Sequence, residues 1–192
     1  MKDEKTTTHH HHHHHHHHHS HSARNKRVQY STYITHTACI AAIYAALTIV
    51  MSLLGLDKGT IQLRISEALC ILPVLMPAAV PGLFIGCFLS SLLTGAVIWD
   101  TVFGSIATLI GALGAALVRK LPDKLMFIAT IPTILANAAI IPFVLMYGYG
   151  IEGTYMVLMW PILVSEFICA GVLGTVIYYP TKSLLIKIEN RR

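Results

Sequence analysis

The chain alternates between long stretches that lack Asp, Glu, Lys and Arg and short segments that collect them. Charge-free stretches cover residues 28–56, 68–99, 101–118 and 125–151, and a fifth, 154–179, is broken only by Glu166. About 20 helical residues, each rising 1.5 Å, cross a hydrocarbon layer roughly 30 Å thick. Four of the stretches therefore match one span each. The 68–99 stretch has room for one tilted helix or two short ones, and Pro73, Pro77, Pro81 and Gly82 sit where one helix would end and the next begin.

Charge parity decides between five spans and six. Basic residues cluster at Arg24, Lys26 and Arg27, at Arg119, Lys120 and Lys124, and at Lys182, Lys187, Arg191 and Arg192. Cytoplasmic flanks of spans carry the excess of Lys and Arg. Only six spans put all three clusters, and both termini, on the cytoplasmic side. The pattern thus predicts an all-α integral membrane protein with six transmembrane helices, at about 30–54, 66–79, 81–95, 97–118, 124–147 and 154–180. The second and third are too short to cross alone unless protein or a cavity covers their ends.

Composition agrees. The chain is 54% hydrophobic and 12% charged, with a mean hydropathy of +0.61; soluble domains carry about twice that share of charge. His9 to His19 form an unbroken histidine run of the purification-tag kind. Residues 1–23 are read as tag and linker, and 24–192 as a single six-helix domain. Lys2 and Lys5 cancel Asp3 and Glu4, so the net charge of +5 belongs to that domain. The first apolar run has full span length and no small-residue cleavage site, so it is expected to stay in the membrane.

On this topology three loops face outward: 55–66 with Asp57, Lys58, Gln62 and Arg64, the turn 94–99 leading into Asp100, and the glycine- and tyrosine-rich 147–153. Polar side chains inside spans are few and call for an explanation. Glu67 and Asp100 open their helices, while Asn137 and Glu166 fall at similar depth, roughly 15–18 Å below the outer helix ends at 1.5 Å per residue. The four are expected to line one cavity open to the outside. Simpler roles exist: macrodipole partners for Glu67 and Asp100, an interhelical hydrogen bond for Asn137. Glu166, an acid near mid-bilayer without a nearby lysine, points most strongly to function. Trp99, Trp160, Tyr147, Tyr149 and Tyr155 fit an interfacial belt, and one of them could stack on a planar ligand.

Ala38, Ala42 and Ala46 recur every fourth residue of the first span, with Ala41 and Ala45 beside them, making a smooth face that another helix could approach closely. Gly82 and Gly86, and Gly111 and Gly114, are read as packing inside the bundle. No phosphate loop ending in Lys-Ser or Lys-Thr is present, one histidine outside the tag region leaves no usual zinc site, and the four cysteines are isolated in apolar spans. Neither catalysis nor a cofactor is expected.

The segment Ile61-Gln62-Leu63-Arg64-Ile65-Ser66-Glu67-Ala68-Leu69, then Leu72-Pro73, Leu83-Phe84-Ile85-Gly86-Cys87 and Trp99-Asp100-Thr101-Val102-Phe103-Gly104-Ser105, resembles the QueT family of queuosine-precursor transporters. The Asn137 and Glu166 contexts fit it too, and the resemblance covers residues 30 to 185. Ser91 stands where that pattern commonly has asparagine. The resemblance implies the substrate-binding S component of an energy-coupling factor (ECF) transporter: a six-helix bundle in the bacterial plasma membrane with an outward-facing pocket. Its alanine-rich first helix would dock on a transmembrane scaffold subunit (EcfT), and two separate ATPases would drive the cycle. The implied partners are those subunits, membrane lipid and a small-molecule deazapurine, with no nucleic acid.

The implied cargo is a 7-deazaguanine such as 7-aminomethyl-7-deazaguanine, or queuine. Its 2-aminopyrimidinone edge offers adjacent N–H donors to a carboxylate, its carbonyl wants a donor such as the Asn137 amide, and its exocyclic ammonium wants a second carboxylate. The expected contacts are Glu67, Trp99, Asp100, Asn137, Tyr155, Glu166, Arg64 and Gln62, with Trp99 or Tyr155 covering the ring. Another vitamin as cargo, a solitary proton-coupled carrier using Glu166, and a purely structural subunit are the alternatives.

Overall fold

The computed structural model describes residues 16–57 and 62–191. Residues 1–15 of the tag segment, Lys58, Ile61 and Arg192 lie outside the described residues. The chain forms two units that divide after Tyr33. In the first unit the helix is held by local bonds, among them Thr32 Oγ1 to the Val28 carbonyl at 2.9 Å, and Val28 and Tyr30 are exposed.

Six helical segments lie among the described residues. Helix 1 is His16–Leu53, helix 2 Ile65–Val74, helix 3 Ala79–Leu93 and helix 4 Ile98–Leu117. Helix 5 is the continuous run Asp123–Gly148 and helix 6 the run Tyr155–Glu189. Four of these (Lys26–Leu53 within helix 1, and helices 4, 5 and 6) are long and apolar enough to span a bilayer, and helices 2 and 3 are shorter apolar segments. Leu135, Val157 and Val176 are each more than half exposed. An apolar surface of this kind requires lipid around it.

Helix 2 explains how a ten-residue segment survives in such a fold. Every residue from Ser66 to Pro73 is buried, and helices 3, 4 and 6 pack against it. A helix that is apolar all round belongs in a protein interior, and here the rest of the bundle covers its ends. It is tightly wound and ends at Val74, earlier than the expected 79, because Pro77 cannot donate to a further turn. Its N-terminal Ser66 and the C-terminal Ser90 and Ser91 of helix 3 border the same cavity, so the chain doubles back between them. Helix 6 runs on to Glu189 rather than stopping near 180, with Pro180 accommodated inside it.

Helix 3 lies close against helix 1 through its glycines. A Cβ at Gly82 would meet the Thr37 carbonyl oxygen at 2.9 Å, and one at Gly86 would meet Tyr44 Cβ at 2.8 Å. Thr37 Oγ1 also donates to the Ala78 carbonyl at 3.1 Å. These glycines serve packing inside the bundle. Ala41 is buried in the same seam, whereas Ala38, Ala42 and Ala46 are exposed.

Two left-handed glycines stop helices where the loops must turn. Gly55 (φ 72°) and Gly95 (φ 73°) follow the ends of helices 1 and 3. The next residue's N–H then closes back on the helix: Leu56 donates to Met51, and Ala96 to Ser91, both at 3.0 Å. This is the glycine-terminated helix end that satisfies otherwise unpaired carbonyls.

Candidate functional site

A cavity of about 340 Å³ opens at one end of the bundle. Its wall is built from Tyr44, Thr48 and Ser52 of helix 1, Ser66 of helix 2, Ser90 and Ser91 of helix 3, Asp100 of helix 4, and from Asp57, Gln62, Arg64 and Tyr149 of the connecting loops. All three loops expected on one side of the membrane border it. The departure at Ser91 therefore falls on the cavity wall.

Arg64 and Asp100 meet across it. Arg64 Nη2 lies 3.0 Å from Asp100 Oδ1 and 3.0 Å from Gln62 Oε1. The Tyr149 hydroxyl donates to Asp100 Oδ2 at 3.0 Å. Burial, then the neighbouring Asp100 carboxylate, push the Tyr149 phenol up to about 12, so it remains a donor at neutral pH. Asp100 is thus already neutralised from within the chain, where a free acid facing the cavity was expected. Sequence spacing could not show that a loop arginine 36 positions earlier folds over it.

Behind this wall lies a second polar layer. Glu67, Asn137 and Glu166 are at most 2% exposed, and none of them borders the open cavity, contrary to the expected lining. Glu67 is the hub. It accepts from the Tyr44 hydroxyl, from Thr108 Oγ1 at 3.0 Å, from Cys70 Sγ at 3.1 Å and from Asn137 Nδ2 at 3.5 Å. Glu166 neighbours Glu67, Arg64 and Asn137. Residues 67, 137 and 166, from helices 2, 5 and 6, therefore form one buried polar cluster, and Tyr44, which also lines the cavity, joins the two layers.

The amide of Asn137 is turned the opposite way from expectation. Its Nδ2 donates to the Thr133 carbonyl at 3.2 Å and to Glu67, so it is not free for a ligand carbonyl. Its Oδ1 has no partner among the described residues, nor have Glu166 Oε2 and Thr133 Oγ1. A buried polar atom left unpaired costs about 1–3 kcal/mol. Of the three, the Asn137 Oδ1 can only accept, so at that point the cluster favours a hydrogen-bond donor.

The two aromatic residues expected to cover a ring lie elsewhere. Trp99 is 54% exposed and stacks on Phe103 at 5.9 Å, lining a separate apolar hollow with Phe143 and Tyr147. Tyr155 packs on Phe143 at 4.8 Å and donates to the Ala139 carbonyl at 3.0 Å. Successive helical residues point about 100° apart, so with Asp100 turned inward Trp99 must turn out. Tyr44 and Thr108 were missed. The available signal was a hydroxyl deep in an otherwise apolar run, though many span hydroxyls merely bond their own backbone, as Thr175 does to Gly171 at 2.7 Å. No group of three or more His, Cys, Asp or Glu suited to a metal occurs among the described residues.

A multi-helix bundle with a lipid-facing exterior and a buried polar cluster behind a cavity defines a class: a multi-pass membrane protein that handles a small molecule. The family model described as QueT transporter matches residues 34–183, and the chain belongs to that family. Comparison with curated proteins and with solved structures gives no match. The family carries transport of a small molecule across a membrane as its function, and it is not a family of enzymes.

Proposed function

We propose that the chain is the substrate-binding S component of an ECF transporter and that its cargo is a queuosine precursor, a 7-deazaguanine such as 7-aminomethyl-7-deazaguanine or queuine. The observation that carries this reading is the pair of buried, unpartnered acceptors, Asn137 Oδ1 and Glu166 Oε2. The 2-aminopyrimidinone edge supplies adjacent N–H donors to such a pair. Glu67 orients Asn137, and Tyr44 holds Glu67, so the acceptors are fixed before the ligand arrives. Entry requires Tyr44 and the Arg64–Asp100 pair to move aside, after which closure excludes water and strengthens those bonds.

Titration of the purified protein with 7-aminomethyl-7-deazaguanine tests the site. Glu166→Gln combined with Asp100→Asn is expected to weaken binding at least tenfold, since a hydrogen bond to a charged group contributes about 1.5–3 kcal/mol. Unchanged affinity removes the assignment. Uptake driven by a pH gradient without ATPase partners would favour the proton-coupled carrier instead.

The exposed face of Ala38, Ala42 and Ala46 is the proposed docking surface for the scaffold subunit, with both termini cytoplasmic in a bacterial plasma membrane. Small side chains there let a partner helix approach to backbone contact. Ala42→Trp is expected to reduce co-purification with the scaffold and ATPase subunits while ligand affinity stays unchanged. Normal assembly with lost binding would contradict this use of the face.

A further inference from the structure

The cavity holds two carboxylates, and they are not equivalent. Asp100 has both oxygens engaged, Oδ1 by Arg64 and Oδ2 by Tyr149. Asp57, just past the glycine-terminated end of helix 1, also lines the cavity. Its Oδ1 is shielded from solvent yet has no hydrogen-bond partner among the described residues. The Arg64 guanidinium does not serve it, since its partners are Asp100 and Gln62. A cation arriving in the cavity must break existing bonds to reach Asp100, whereas Asp57 Oδ1 has no partner among the described residues and is already desolvated.

We propose that Asp57 is a specificity-determining residue that receives the positively charged exocyclic amine of the ligand. The inference rests on the proposed cargo reading and assigns one end of the molecule: donor edge toward Asn137 and Glu166, ammonium toward Asp57. Ser52, in the last turn of helix 1, and Thr48 line the same wall and offer hydroxyl acceptors for the remaining N–H groups of an ammonium, which has three donors and no acceptor. Once the cavity closes over the ligand, charge pairing discriminates strongly, because the unpaired carboxylate is costly with a neutral ligand. The site therefore selects the aminomethyl form over an isosteric neutral one.

The test compares two probes, 7-aminomethyl-7-deazaguanine and its neutral 7-cyano counterpart, by calorimetric titration of the purified full chain as wild type, Asp57→Asn and Asp57→Glu. Wild type is expected to bind the amine more tightly. Asp57→Asn should weaken the amine about ten- to a hundredfold, leave the cyano compound within about twofold, and be partly rescued by Asp57→Glu. Equal affinity of Asp57→Asn and wild type for the amine overturns the role of Asp57 while leaving the cargo reading standing. Equal weakening of both probes also overturns it, since that marks a structural effect on the loop. Failure of wild type to bind either probe sinks the cargo reading itself, and this inference with it.

Discussion

Two acid–base–phenol groups sit at opposite ends of helix 5 and use nearly the same chemistry. At the cavity end, Arg64 pairs with Asp100 and Tyr149 donates to it. At the other, Lys182 pairs with Asp123 at 2.6 Å and Tyr178 donates to it at 3.0 Å. Their surroundings differ. The Arg64 and Asp100 side chains are 15% and 9% exposed, those of Lys182 and Asp123 35% and 49%. Water screens the second pair and can replace either partner, so it joins helices 5 and 6 loosely. The first has no such substitute: removing one member strands the other in a poorly solvated site. Chemically similar contacts can therefore be an ornament at one end and a constraint at the other.

The largest effect is expected at Arg64. Arg64→Met leaves Asp100 unpaired and should destabilise the fold by about 3 kcal/mol, read as a lowered Tm in detergent. Adding Asp100→Asn should restore much of that loss, and a purely additive double variant would break the comparison. Next comes Tyr149→Phe, expected to cost about 1 kcal/mol for one hydrogen bond. The same variant should remove a phenol that titrates near 12 in the wild type, seen as a missing high-pH step in ultraviolet absorbance. Because the phenol's proton is held more tightly in the folded state, any stability it contributes is present below pH 10 and is lost as pH rises toward 12. Smallest is Lys182→Ala, expected to leave both Tm and ligand affinity unchanged within error. A clear drop in Tm there would show that the exposed group matters as much as the buried one.

Much of this architecture is legible in one dimension. Charge-free runs located all six helices, and Pro77 marked the reversal between helices 2 and 3, whereas Gly82 lies inside helix 3. Helix ends slipped where tertiary contacts decide them: Pro180 suggested a stop, yet the helix continues to Glu189. The site was partly legible. Glu67, Asn137 and Glu166 stand out because acids and amides are rare in spans, and they do meet. Their burial behind the cavity, the orientation of Asn137 and the outward turn of Trp99 were not readable, since these depend on how each helix is rotated about its axis. Runs that are apolar on every face carry little signal for that rotation.

The sequence by itself determined the number and order of the helices, because the cost of placing charge or unpaired backbone in hydrocarbon is set residue by residue. It also determined which few polar groups must find company inside. Only the tertiary structure decided the company they keep. Tyr44, Thr108 and Asn137 come to Glu67 across 23, 41 and 70 positions, and Arg64 is drawn to Asp100 rather than to Asp57. Such meetings follow from helix packing and rotation, which are properties of the assembled bundle and of no single segment.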